Sequence, residues 1–182
     1  MQWLFIALII VLTALSVLGT AYSLRQAYKL NLLRVESAAS RVRALTARHI
    51  DVYEKAYALV FFFGGDLSSS IEKKEFTLKD ETPLSELPLI NSGVDAALSE
   101  LCARIEESES IMKDRGASFR KTNAEIEELE RDLLSETVSF NRHVSRARLF
   151  SSFRPFKRLL KDLGKCPYRQ IALGGANTST KL

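Results

Sequence analysis

Twenty consecutive residues without a charge, Trp3 to Tyr22 (WLFIALIIVLTALSVLGTAY), constrain this chain more than any other feature. As a helix rising ~1.5 Å per residue they extend about 30 Å, the thickness of a bilayer's hydrocarbon core. Eleven of the twenty are Leu, Ile, Val or Phe. At up to about 0.3–0.6 kcal/mol each near the bilayer centre, their insertion is worth on the order of −3 to −7 kcal/mol. Thr13, Ser16 and Thr20 are the polar exceptions, and hydroxyls bond back to helix carbonyls. Trp3 and Tyr22 stand at the two ends, where amphipathic rings favour the interface. Residues 1–22 therefore read as a transmembrane anchor, with the lipid bilayer as partner of residues 3–22. The competing reading is a cleaved signal peptide, for which Gly19-Thr20-Ala21 offers a small-residue site. The lack of a basic segment ahead of the run, and the run's length, favour the anchor.

Flanking cations give a direction. Met1 and Gln2 supply none, whereas Arg25, Lys29, Arg34, Arg41 and Arg43 follow the span. The positive-inside bias puts the body in the cytoplasm and the N-terminus outside; a periplasmic body is the alternative.

The remaining chain, 23–170, has the length of one ordinary domain. From Ser23 to Phe63 there is no Gly or Pro, and two rows recur every seven residues. One is Leu24, Asn31, Ala38, Leu45, Val52, Leu59; the other is Tyr28, Val35, Val42, His49, Ala56, Phe63. This spacing predicts a long helix packed along others, continuous with the anchor and extending ~60 Å beyond the bilayer. Asn31 and His49 interrupt the stripe, as buried polar residues that fix register do. Residues 64–92 form the irregular region, with Gly64-Gly65, Pro83 and Pro88, and room for a short helix over 67–76. Ser92 is the expected cap of a second helix over 93–113. Asp114-Arg115-Gly116 reads as the turn into a third, over 119–150, capped by Ser118. The tail 171–182 reads as flexible. The fold class expected is all-α: an N-terminal transmembrane helix followed by an elongated antiparallel three- to four-helix bundle. With three long helices the chain runs away from the bilayer, back, and away again, which would leave the C-terminal segment far from the membrane.

Charge is divided along the chain. Residues 23–63 hold seven cations and three anions, 64–115 six and twelve, 116–141 three and six, and 142–182 ten and one. The last stretch interleaves cations with Phe150, Phe153, Phe156, Leu159, Leu160, Leu163 and Tyr168. Arg146, Arg148, Arg154, Lys157, Arg158 and Lys161 are its candidate contacts with anionic lipid or an acidic partner, at about 1 kcal/mol per cation near a membrane surface. The plainer reading is that the aromatics close the bundle while the cations face water. Nucleic acid is not expected as a partner.

No catalytic, cofactor or metal signature is present. His49 and His143 lie on different predicted helices, with no carboxylate, His or Cys at ligand spacing. Gly64-Gly65 and Gly174-Gly175 are isolated pairs rather than a phosphate loop. Glu125, Glu127, Glu128 and Glu130 read as a solvated face. Cys102 and Cys166 fit two free thiols, with a single disulfide as the minor reading.

Residues 119–144 (FRKTNAEIEELERDLLSETVSFNRHV) resemble the long C-terminal helix of the LemA family, through Phe119, Ile126, Glu130, Leu133, the pair Phe140-Asn141, and Val144. Ser152-Phe153 with Pro155 is similar to that family's Ser-Phe-Pro turn, and Lys113-Asp114-Arg115-Gly116 falls at its interhelical loop. Val35-Glu36-Ser37-Ala38 and Arg48-His49 are similar to its first helix. Ile50-Asp51-Val52-Tyr53 departs from the family's Ile-Pro-Asn-Leu stretch, and 64–92 match nothing in it. The resemblance implies a single-pass protein of the bacterial cytoplasmic (inner) membrane, a helical bundle and no enzyme. Two functions are compatible with it: a non-catalytic interaction or scaffold protein of the cell envelope with a protein partner or a second copy of itself, or a protein touching anionic lipid through its basic C-terminal segment.

Overall fold

The computed structural model describes residues 2–63, 71–152 and 160–172. Among the described residues it is all-helical: α1 spans Gln2–Phe63, α2 Leu87–Glu107 and α3 Glu109–Ser152, with a 3-10 turn at Lys161–Leu163. No strand occurs among the described residues. The chain forms two compact units, the first from 1–37 and 141–169, the second from 38–140 and 170–182.

In the first unit, α1 begins with the apolar stretch. Every residue from Gln2 to Thr20 is exposed, and thirteen large apolar side chains between Trp3 and Tyr22 are 50–83% accessible. This is the one helix long and apolar enough to cross a membrane among the described residues. Its hydroxyls are satisfied locally: Thr13 Oγ1 donates to the Ile9 and Ile10 carbonyls, and Thr20 Oγ1 to those of Ser16 and Val17. Such back-bonding removes the cost of a polar group in hydrocarbon. Burial starts at Tyr28 and continues through Asn31 and Val35, with Val144, Ala147 and Leu160 on the other side. Asn31 Nδ2 donates to the His143 carbonyl at 3.4 Å, and Tyr28 Oη to the Gly164 carbonyl at 3.0 Å.

In the second unit the heptad rows hold and widen. Val42, His49 and Ala56 of one row are buried, as are Ala38 and Val52 of the other, with Leu45 and Leu59 less so. A third row, Ala39, Thr46, Tyr53 and Val60, is buried as well. Three rows in seven make a face wide enough to meet two neighbours rather than one. α3 is one neighbour: Arg41 pairs with Glu136 at 2.9 Å and Arg48 with Glu125 at 3.1 Å, so contacts climb α1 as they descend α3. α2 is the other: Asn91 Nδ2 donates to Thr46 Oγ1 at 3.1 Å, and Asp95 stands beside His49.

The segment between α1 and α2 corrects an expectation. A short helix over 67–76 is not formed in its described part: 71–79 carry no regular structure, and 67–70 lie outside the described residues. The segment is instead pinned along α1. The Lys74 N–H donates to Tyr53 Oη at 2.9 Å, and Phe76 meets the Tyr53 ring edge-on at 5.1 Å. Further on, Arg43 donates to the Asp80 and Thr82 carbonyls, both at 2.6 Å. The contact thus moves from residue 53 to residue 43 as the chain advances from 74 to 82. An extended chain covers roughly twice the distance per residue of a helix, so a few residues undo ten residues of α1. α2 then runs alongside α1 in the same direction, and α3 is the helix that runs back.

Both interhelical boundaries also move. α2 begins at Leu87, with Pro88 in its first turn and no side-chain cap, instead of at a Ser92 cap. Proline suits the first turn because its missing N–H is an orphan there anyway. Gly93, now inside the helix, lies under Phe76, whose Cε1 would sit 3.1 Å from an added Cβ. The turn expected at Asp114-Arg115-Gly116 is helical, and the break falls at Ser108, with φ −91° and ψ 102°. Its carbonyl accepts from Met112 N–H to start α3. Ser followed by Glu109 is a cap-and-dipole start signal that the glycine outcompetes on paper.

Because Gly116 is helical and an added Cβ would meet only Met112 Cε at 3.8 Å, Gly116→Ala is expected to stabilise the protein by about 0.5–1 kcal/mol through helix propensity. Thermal unfolding checks it; a lowered midpoint would restore the turn.

Candidate functional site

Two groupings of ionisable residues bear on function among the described residues. The first is the basic surface of the first unit. Among the expected contact residues, Arg146, Arg148 and Lys161 are all exposed; Arg154, Lys157 and Arg158 lie outside the described residues. Arg148 is partly engaged, donating from Nη2 to the Tyr168 carbonyl at 3.0 Å. The fold adds cations the sequence kept apart: Arg25, Lys29 and Arg34 from α1, Arg142 from α3, and Lys165 and Arg169 from the C-terminal segment, all in the same unit.

The joint between these pieces corrects the expectation that the C-terminal segment lies far from the apolar span. Tyr28 is completely buried and holds the Gly164 carbonyl, with Ser151 alongside. From Tyr22 to Tyr28 is six residues, about 9 Å of helix. Burial, helped by the nearby Cys166, raises the Tyr28 phenol above its ordinary pKa, so the clasp stays protonated across the neutral range. Its contribution is present below the free phenol's pKa and is lost only as pH climbs through the raised one. Gly164 adopts φ 72° and ψ 178°, a region that essentially only glycine populates.

The imbalance of charge is large. Residues 23–37 and 141–169 contain twelve Lys and Arg against Glu36 and Asp162, a formal +10. The rest of the chain has fourteen against twenty, a formal −6, and there cations meet carboxylates: Lys55 with Glu125, Lys73 with Glu54, Lys74 with Glu100. Two carboxylates cannot neutralise twelve cations, so the first unit presents a positive surface. Leu30, Leu33 and Leu149, 52–70% exposed, are interspersed with it.

The second place is a cleft of about 460 Å³ in the second unit, walled by Leu87, Leu133, Leu134 and Ile171. His49 and Asp95, which sequence spacing left unrelated, meet in it: Nε2 lies 3.1 Å from Asp95 Oδ1, and Nδ1 3.4 Å from Asn91 Oδ1. Nε2 is within ionic reach of the carboxylate but off hydrogen-bond alignment. Across the described residues, no three His, Cys, Asp or Glu side chains cluster as a metal site would need. Cys102 and Cys166 are free thiols; burial, then Glu106 and Glu130, push the Cys102 thiol up, keeping it protonated and unreactive.

Gly164→Ala is expected to destabilise the C-terminal docking by about 1–3 kcal/mol, and Tyr28→Phe by about 1 kcal/mol. Hydrogen exchange over 160–172 reads the effect; wild-type protection in both variants would show that the clasp does not hold the segment.

No family model, curated protein or solved structure matches this chain.

Proposed function

We propose that this chain is a single-pass, non-catalytic protein of a bacterial inner membrane whose basic unit rests on anionic lipid headgroups, the helical body forming a bundle on the cytoplasmic side in which α2 runs with α1 and α3 against both. The Tyr28–Gly164 clasp carries the reading: it holds the cationic C-terminal segment within about 9 Å of helix from the end of the apolar stretch, roughly one Debye length at physiological salt. Cations at that depth gain about 1 kcal/mol each from an anionic leaflet. The exposed Leu30, Leu33 and Leu149 suit the headgroup–acyl boundary. Between a protein-interaction scaffold and a lipid contact, this observation favours the lipid contact. The resemblance to the LemA family supports the bacterial envelope setting.

Hydrogen exchange of the full chain in nanodiscs tests the contact. Peptides within 142–152 and 160–169 should be better protected in discs containing phosphatidylglycerol than in pure phosphatidylcholine. About 0.5 M salt, or Arg146→Glu with Lys161→Glu, should erase the difference. Equal protection in both lipids would sink the proposal.

Arg25, Lys29 and Arg34, close behind the span, also argue for a cytoplasmic body. A C-terminal reporter that fluoresces only in the cytoplasm should be bright; activity of a periplasm-dependent reporter at the same position would reverse the topology.

A further inference from the structure

The cleft of the second unit has a chemistry that neither lipid contact nor anchoring uses. Its lining contains two carboxylates, Asp95 and Glu130, and no Lys or Arg among the described residues. Its walls are apolar, and its volume, about 460 Å³, falls in the range of small-molecule sites. Deep in it stands His49, 1% exposed.

The hydrogen bonds around His49 decide what is missing there. Asn91 Nδ2 donates to Thr46 Oγ1, which turns the amide oxygen toward His49 Nδ1. In the tautomer that donates from Nδ1 to this oxygen, Nε2 is left as an acceptor. Beside that acceptor is Asp95 Oδ1, at 3.1 Å and not aligned for a hydrogen bond. In that tautomer the buried Nε2 accepts no hydrogen bond, while the exposed carboxylate beside it adds negative charge at the cleft, and a buried acceptor without a donor costs free energy.

We propose that this cleft binds a small organic cation: an apolar body against the leucine walls, with a protonated amine donating to His49 Nε2 and Asp95. Glu130 at the rim adds attraction of the same sign, and the lining holds no cation to oppose it. An anion of the same shape would face two carboxylates and a lone pair. The cleft thus selects by charge as well as by shape. Every residue lining it belongs to the second unit.

Tryptamine and indole-3-propionate, one apolar body with opposite charges, are the probes. With the full chain in phosphatidylcholine nanodiscs, isothermal titration should show saturable 1:1 binding of tryptamine, at least tenfold tighter than that of the propionate. Asp95→Asn combined with Glu130→Gln should remove that preference. Both positions are exposed, and an unchanged circular dichroism melt verifies folding. Leu134→Trp, at a wall residue 56% exposed, should block binding by filling the cleft without altering its charge. Absence of saturable tryptamine binding, equal affinity for the two probes, or a preference surviving in the carboxylate variant overturns the proposal.

Discussion

Arg43 and Tyr53 determine the direction in which the rest of the chain runs. Both lie on α1, and each takes hold of the extended segment that returns along it: Tyr53 through the Lys74 N–H and the ring of Phe76, Arg43 through two carbonyls at Asp80 and Thr82. Had the segment been helical, α2 would have been the returning helix and α3 would have run with α1. With the return made by extended chain, α2 runs with α1 and α3 against it. The clasp at Tyr28 in the first unit is available to the C-terminal segment because α3 has that direction. Hydrogen bonds from a guanidinium are among the stronger neutral-acceptor contacts, and these bind carbonyls that an irregular segment would otherwise leave to water.

The buried stripe of α1 contains three polar residues where a simple seam would have aliphatic ones. Asn31 reaches α3 through the His143 carbonyl, and Thr46 and His49 reach α2 through Asn91 and Asp95. Each bond links a particular residue to a particular partner, so sliding a neighbouring helix by one turn would leave these groups buried without partners. An unmade buried hydrogen bond costs about 1–3 kcal/mol, more than a made one contributes. The polar residues therefore discriminate between registers rather than add to stability, the use best attested for polar core positions in coiled coils. The ion pairs alongside, half-exposed, contribute little.

Much of this was legible in the sequence because it depends on periodicity. The apolar span, the unbroken α1, the buried rows and the polar interruptions at Asn31 and His49 all derive from spacing alone. The third row, Ala39 to Val60, was hidden by its composition: Ala, Thr and Tyr do not stand out until a second neighbour covers them. The errors lay at glycine and proline. Gly116 signalled a turn and sits in mid-helix; Pro88 signalled a loop and opens α2. Propensity differences of about 1 kcal/mol are easily outweighed by packing. The return segment was illegible because its conformation is set by Arg43 and Tyr53, roughly twenty to forty residues upstream. The His49–Asp95 approach was illegible for the same reason, since it depends on which way α2 runs.

Charge obeys a division that the linear sequence conceals. Along the chain, basic stretches lie at both ends of the body and acidic ones between. In the fold, the basic stretches share one unit with the apolar span. This separates two effects usually treated together. Topology is set during insertion by cations within about 15–20 residues of the span, which here means Arg25, Lys29, Arg34 and, at the limit, Arg41. The cations of 142–169 are more than a hundred residues away and have no influence at that stage. Those the structure describes, Arg142, Arg146, Arg148, Lys161, Lys165 and Arg169, share a unit with the span only once α3 has docked and Tyr28 has closed on Gly164. In the membrane placement proposed above, orientation would rest on the first group and outlast loss of the clasp, whereas attraction to the surface would rest mainly on the second and require it.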